Sequence, residues 1–343
     1  MSRNILVWLP SPMGDAIMAT PALRSLRKIY ENDKIFFLAS KINSEVISPC
    51  AFCDEWITLT EKNPFKIAGT LRKYNFSDAF LFKNSFASAL AIFLAGIKNR
   101  IGYARDARSI FLTQKLYPEK KSVFDYKPLS VIDYYLQIPA KLGGDIQNKQ
   151  TELSVEPNDK TTLMEKFADK LNNQKLLVIL VPGGAFGPSK MWPEERFAKT
   201  ADFLCENFSA DVFVSVSPAQ KEVEIADKIC SLAKNPITNL GRNPLPLGQL
   251  KALFSMATLV ITNDTGPRHI AIALNRKLIT LFGPNNPAWT SNDYPHEIKI
   301  IGQAHCAPCD KPLCKQDKHY CMQSITADMV CAEADKILKQ ETK

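Results

Sequence analysis

The segment Thr258 to Pro284, TLVITNDTGPRHIAIALNRKLITLFGP, decides how the chain is read. Leu259-Val260-Ile261 is a short apolar run of the kind that forms a parallel strand buried on both faces. Asn263-Asp264-Thr265-Gly266 supplies turn chemistry. His269, Ile270, Ala271, Ala273 and Leu274 follow at the spacing of a helix packed on a sheet. A second apolar run, Lys277 to Phe282, ends at Gly283-Pro284. Strand, turn, helix and strand in this order make one right-handed crossover unit. Its turn sits at the carboxyl end of a strand and the amino end of a helix, where free N–H groups and the helix dipole favour a phosphate. Gly266 permits close approach and the Thr265 hydroxyl adds a hydrogen bond. Taken alone, Asp264-Thr265-Gly266 reads as a helix cap and turn. The motifs elsewhere in the chain reverse that reading.

Outward from this segment the same alternation repeats. Ile5 to Leu9 predicts a strand, Ser11 to Asp15 a turn, and Ala16 to Ile29 a helix with Pro21 near its start. Ile35 to Ala39, Trp56 to Leu59 and Ala79 to Phe82 predict further strands, separated by helices over Phe65 to Tyr74 and Ser85 to Ala95. After a helix from Leu129 to Leu142 comes the polar stretch Gly143 to Gln150, and a domain boundary is placed between residues 145 and 160. The pattern then restarts with strands at Leu176 to Val181 and Val212 to Val216. Helices over Glu194 to Glu206, Gln220 to Lys234 and Leu247 to Met256 accompany them. The fold class expected is α/β, two Rossmann-like doubly wound domains, 1–155 and 156–343, facing a central cleft.

Composition narrows the class. With 343 residues and 45% hydrophobic content the chain can bury a sizeable core, and 23% charged residues argue against disorder. Ala87 to Ile97, the nearest candidate for a membrane span, is too short. The amino terminus enters a strand without a signal-peptide pattern, so a cytosolic location is expected. The net charge of +8 suggests an anionic partner, with nucleic acid, a membrane face and a phosphorylated substrate all compatible. From Lys98 to Lys121 seven basic residues, Arg100, Arg105, Arg108, Lys115 and Lys120 among them, face only Asp106 and Glu119. That run is either a solvated loop surface or a docking face for an anionic acceptor.

Three constellations could carry chemistry. Gly14-Asp15 follows the first strand, and Asp15 is either a capping carboxylate or a general base. Pro182 to Pro193, PGGAFGPSKMWP, places three glycines and Lys190 after a strand. Gly183 and Gly184 free the backbone for a ligand, and Lys190 reads as a mobile, unpaired charge. The loop fits neither the phosphate-loop spacing nor the dinucleotide fingerprint. His269 on its helix is either structural or a ligand contact one turn beyond the phosphate pocket.

These residues carry a family resemblance that covers nearly the whole chain. GDAIMATPALRSL near the start, PGGAFGPSKMWPEERFA and NDTGPRHIAIAL followed by LFGP resemble, in order, the motifs of the heptosyltransferases of glycosyltransferase family 9, most closely the heptosyltransferase II branch. The resemblance implies a GT-B fold and inverting transfer of heptose from ADP-L-glycero-D-manno-heptose to the lipopolysaccharide inner core. It implies a Kdo-lipid A or heptosyl-Kdo-lipid A acceptor at the cytosolic face of the inner membrane, and a protein that is cytoplasmic or peripheral there. Asp15 would be the catalytic base. Lys190, which would also assist catalysis, would bind the donor phosphates with Gly14, Gly183, Gly184, Asp264, Thr265 and Gly266, and His269 would lie close by. Pro267-Arg268 departs from the family pattern, standing where apolar residues are more usual. No Asp-x-Asp pair of the metal-holding type occurs in the sequence, which favours a metal-independent route.

Four of nine cysteines cluster as Cys306-x2-Cys309-x4-Cys314-x6-Cys321, a spacing compatible with a structural zinc and equally with free thiols packing a loop. A reducing compartment disfavours disulfides. Cysteines at comparable positions belong to the pattern of the family that the chain resembles. Heptosyltransferase I, or a family member using another sugar nucleotide, is the nearest alternative. A zinc-bearing nucleic-acid-binding protein is the alternative from another class, but no nucleic-acid motif appears. A non-catalytic nucleotide-binding module would leave Gly14-Asp15 unexplained.

Overall fold

A computed structural model of the chain describes residues 2–122, 126–173, 175–184 and 186–341. The chain divides into two compact units, Met1–Ser154 with Ala288–Asp293, and Val155–Pro287 with Tyr294–Lys343.

The first unit is built on β1 (Asn4–Trp8), β2 (Lys34–Ala39), β3 (Glu55–Thr58), β4 (Asp78–Leu81), β5 (Asn99–Tyr103) and β6 (Gln114–Leu116). All pairings are parallel and the order is β3-β2-β1-β4-β5-β6. Alternation of side chains sends β1 to two cores. Ile5 and Val7 join Leu23, Leu26, Tyr135 and Leu136 on one face, whereas Leu6 and Trp8 join Ile67, Leu71 and Ile92 on the other. A strand sandwiched in this way must be apolar at every position, which is why the sequence shows continuous runs.

The second unit carries β7 (Leu177–Val181), β8 (Asp211–Val214), β9 (Thr238–Asn239), β10 (Leu259–Asn263), β11 (Leu278–Phe282) and β12 (Glu297–Ile301). Its order is β12-β11-β10-β7-β8-β9, again all parallel. Counted within its own unit, each sheet has the doubly wound order 3-2-1-4-5-6. Each therefore has one switch point, between β1 and β4 and between β7 and β10, and ligands of such sheets sit at the strand carboxyl ends there. The helices Glu194–Phe208 and Ala327–Glu341 close one face of the second sheet through Phe197, Leu204, Val330 and Leu338. Among the described residues no helix is long and apolar enough to cross a membrane.

Two local expectations change. The single helix expected over 16–29 is two, Met13–Met18 and Thr20–Ile29. Pro21 has no N–H to reach the Ile17 carbonyl, which takes the Thr20 hydroxyl at 2.7 Å instead. The basic stretch 98–121 is not merely a solvated loop, since it holds β5, β6 and a short 3-10 turn, Arg108–Phe111. Arg108 is fully buried, donating to the Tyr103 and Lys83 carbonyls and to Asn84 Oδ1 at 2.6–2.7 Å, so it belongs to no docking face.

Candidate active site

In the second unit the loops after β7 and β10 meet because those strands are neighbours. Asn263 Nδ2 donates to the Pro182 carbonyl at 2.7 Å and ties one loop to the other. Thr265 precedes the helix Gly266–Ala273 in extended conformation without capping it. Its buried hydroxyl has no hydrogen-bond partner. That hydroxyl and the Gly266 N–H at the amino end of the helix form a site suited to an anion.

Lys190 is neither mobile nor unpaired, contrary to its reading from sequence. It is buried, and its ammonium donates to the Asp264 backbone carbonyl at 2.6 Å and to Asp264 Oδ2 at 2.9 Å. It also lies 4.6 Å from the centre of the Phe186 ring. An ammonium has three N–H donors, so these two bonds leave a third for a ligand. The turn after β10 thus fixes the position of the lysine at the switch point.

The departure at Arg268 acquires a reason here. Arg268 is fully buried and pairs with Asp264 Oδ1 at 3.1 Å and with both oxygens of Glu297, at 2.6 and 3.0 Å. The Thr280 hydroxyl also donates to Glu297, at 2.6 Å. Burial alone would raise the Asp264 carboxyl, but Lys190 and Arg268 outweigh it and hold the group below its ordinary value. Asp264 therefore stays ionised as the link between two cations. His269 joins the same cluster, and burial, reinforced by Arg268, pushes its imidazole down to about 3. At neutral pH it is an uncharged hydrogen-bonding group.

Gly183 makes room for a side chain. A Cβ there would lie 2.4 Å from Glu222 Oε2, and Glu222 accepts the Gly184 N–H at 3.2 Å and the Ser217 N–H at 2.9 Å. A Cβ on Gly184 would lie 3.1 Å from the Thr265 methyl group, which places this loop directly against the anion turn. Ala185 of the same motif lies outside the described residues.

The cysteine segment buttresses these loops. The Pro312 carbonyl accepts the Ser189 N–H at 3.2 Å, and the Ser189 hydroxyl donates to the Lys311 carbonyl at 2.6 Å. The Cys309 and Asp310 N–H groups share the Pro284 carbonyl at 2.8 and 2.9 Å. Gly187 is required at this junction: its φ is +148°, and a Cβ would approach the Pro312 carbonyl to 2.4 Å. All nine cysteines are free thiols. Among the described residues no group of three or more His, Cys, Asp or Glu side chains is placed to hold a metal ion.

In the first unit Gly14 and Asp15 lie in the first turn of the helix Met13–Met18, following β1. The cap position is Pro12, and no side chain caps this helix, so the capping role for Asp15 is not realised. Burial pushes the Asp15 carboxyl up to about 6, opposed by a hydrogen bond from the Tyr135 hydroxyl. A carboxylate of that basicity is ionised at neutral pH and accepts a proton more readily than an ordinary aspartate. The preceding turn is held by Asn43, whose Nδ2 donates to the Pro10 and Ser11 carbonyls at 2.5 and 3.1 Å. Lys83, after β4, donates to the Ser11 hydroxyl.

Sequence reasoning did not find Tyr135, Glu222 or Glu297. Arg268 left a signal, a charge on the buried side of an amphipathic helix four residues from Asp264.

The sequence profile of glycosyltransferase family 9 (heptosyltransferase) matches residues 65–320. The chain belongs to glycosyltransferase family 9. Among family members it is 29% identical to lipooligosaccharide heptosyltransferase 2 of Haemophilus influenzae, over 98% of this chain and 99% of that one. It is 27% identical to lipopolysaccharide heptosyltransferase 2 of Escherichia coli, with the same coverage. The solved structure of Escherichia coli ADP-heptose lipopolysaccharide heptosyltransferase II superposes with a TM-score of 0.82 at 26% identity, covering 99% of this chain and 100% of that chain. The protein is a glycosyltransferase with the α/β, GT-B-type fold of this family, each unit carrying one six-stranded parallel sheet.

Proposed function

We propose that this family 9 enzyme transfers L-glycero-D-manno-heptose from ADP-heptose to the inner core of lipopolysaccharide, with inversion at the anomeric carbon, as a heptosyltransferase of the second type. The observation that carries the reading is Lys190 held against the Asp264–Thr265–Gly266 turn at the switch point of the second unit, next to a buried hydroxyl without a partner.

In this reading the second unit binds the donor and the first binds the acceptor. An acceptor hydroxyl attacks the anomeric carbon, its proton passes to Asp15, and the bond to the diphosphate oxygen breaks to release ADP. The third N–H of Lys190, the Thr265 hydroxyl and the N–H groups of Thr265 and Gly266 meet the charge that grows on the leaving diphosphate. Asp264 keeps the lysine in place. Gly183 and Gly184 leave room for the phosphates in the second unit, Gly14 does the same beside Asp15 in the first, and His269 offers a neutral hydrogen bond behind the phosphates. The acceptor is an anionic lipid A bearing Kdo and a first heptose, presented at the cytoplasmic face of the inner membrane.

The spacing of Cys306, Cys309, Cys314 and Cys321 is compatible equally with free thiols, the arrangement this structure shows, and with a structural zinc in the brace behind Ser189 and Pro284. About one zinc per chain, with those four thiols shielded from a thiol reagent, would support it. Metal-free protein with all four thiols reactive overturns it.

The transfer itself is tested by incubating the protein with ADP-heptose and a series of truncated core acceptors and weighing the products. Addition of one heptose to an acceptor that already carries one heptose is the expected result. Addition only to a heptose-free Kdo acceptor would make the enzyme a first-heptose transferase, and no addition to either would overturn the reading.

A further inference from the structure

We propose that the helix Phe86–Leu94 and the adjoining residues Ile110 and Phe111 form a docking surface for an anionic phospholipid bilayer. The helix FASALAIFL contains no charged residue, although one side of it faces solvent. A solvent-facing helix of a globular protein ordinarily presents polar residues on its outer side. Here that side is apolar: Phe86 is 45% exposed and Phe93 46% exposed, with half-buried Leu90 between them. The patch continues onto the turn, where Ile110 is 73% exposed. Phe111 joins the two parts, its ring centre lying 5.2 Å from that of Phe86 and 5.3 Å from that of Phe93. These side chains form a contiguous patch, unlike the scattered apolar residues found on any surface.

Charge identifies the occupant. Residues 62–115 hold ten basic residues and two acids; apart from the buried Arg108 and from Lys66, which pairs with Glu61 at 3.6 Å, eight of those cations remain. Of the two acids, Asp78 is buried and Asp106 is paired with Arg105 at 3.1 Å. Arg72 donates to the Leu94 carbonyl at 2.7 Å, and the Arg100 guanidinium lies 5.4 Å from the centre of the Phe93 ring. Lys98 is exposed beside them. An apolar stripe with cations at its end matches an interfacial helix, in which rings enter the headgroup boundary while lysine and arginine meet anionic lipid.

The helix starts just after β4, at the carboxyl edge of the first sheet where Asp15 also lies. A bilayer on this patch would hold a lipid-anchored acceptor near the end of the unit that carries the base. That last step rests on the transferase reading, whereas the docking does not.

The test is co-sedimentation of the full chain with vesicles of phosphatidylcholine alone or with about one third phosphatidylglycerol. The wild type is expected to prefer the anionic vesicles by about tenfold or more, with the preference lost in high salt. The double variant F86S/F93S and, separately, the surface variant K98E are each expected to lose about tenfold in partitioning. Both should transfer sugar to a delipidated, water-soluble acceptor at the wild-type rate. Failure of the wild type to bind anionic vesicles, or variants that bind as well as the wild type, would overturn the proposal. So would a patch that instead joins two copies of the chain, seen as a wild-type dimer in sedimentation velocity that F86S/F93S dissociates without any vesicle binding by the wild type. No turnover with normal vesicle binding would count against the transferase reading alone.

Discussion

Asp15 illustrates how one residue links burial to chemistry. Its carboxyl is pushed up to about 6 because the folded chain removes water from it, and Tyr135 only partly compensates. In Asp15→Asn, kcat is expected to fall roughly a thousandfold while calorimetry finds ADP affinity unchanged. The wild-type kcat/KM should rise with pH through an apparent pKa near 6, a limb that the variant lacks. Stability should move the other way. The folded chain holds this proton more tightly than the unfolded chain, so wild-type stability falls as pH rises from about 4 to about 6. Asparagine never ionises, so the variant should be more stable by roughly 1–3 kcal/mol above pH 6 and equal below pH 4 in denaturant titrations. Lys190 is the second such residue. Lys190→Ala should weaken ADP binding roughly thirtyfold, about 2 kcal/mol, by removing a charged donor from the diphosphate. Unchanged affinity would move the phosphate site away from this lysine.

Among elements, the turn after β10 and the strand β12 depend on each other through Arg268. Its guanidinium is fully buried between Asp264 and Glu297. Arg268→Met should destabilise the chain by roughly 3–5 kcal/mol, measured by chemical denaturation, because two carboxylates remain buried with weakened pairing. Adding Glu297→Gln should restore part of that loss, since one of those charges disappears with it. The sequence made the strand, turn and helix of this element legible, because the run Leu259-Val260-Ile261, buried on both faces, is apolar and a turn needs its own residue types. It marked Asp264, Thr265, Gly266 and Lys190 as neighbours in function. It did not reveal that Lys190 is paired, because Asp264 lies 74 residues away and meets it only through the pairing of β7 with β10. Glu222 and Glu297 escaped notice for the same reason. The strand β5 was hidden by the basic residues at its start, Arg100 among them, whose side chain turns back onto the Phe111 carbonyl.

At the scale of the whole molecule, the two units carry the same sheet order yet different machinery. If the second unit binds the donor, ADP should slow amide hydrogen exchange over residues 183–190 and 263–270 and leave the β1 region of the first unit near its ligand-free rate. Protection centred on residues 10–20 instead would assign the nucleotide to the wrong unit in our reading. The sequence by itself determined that the chain alternates strand and helix twice over, and that each half has a turn rich in glycine or small residues at a strand end. Periodicity and turn chemistry are local properties, written in residues a few positions apart. Only the tertiary structure decided that Lys190, Asp264, Arg268 and Glu297 form one buried network, that Tyr135 answers Asp15, and that the cysteine segment braces the lysine loop. Those partners come together because parallel strands distant in the chain lie side by side, and the burial that shifts their protonation exists only once the sheets are covered.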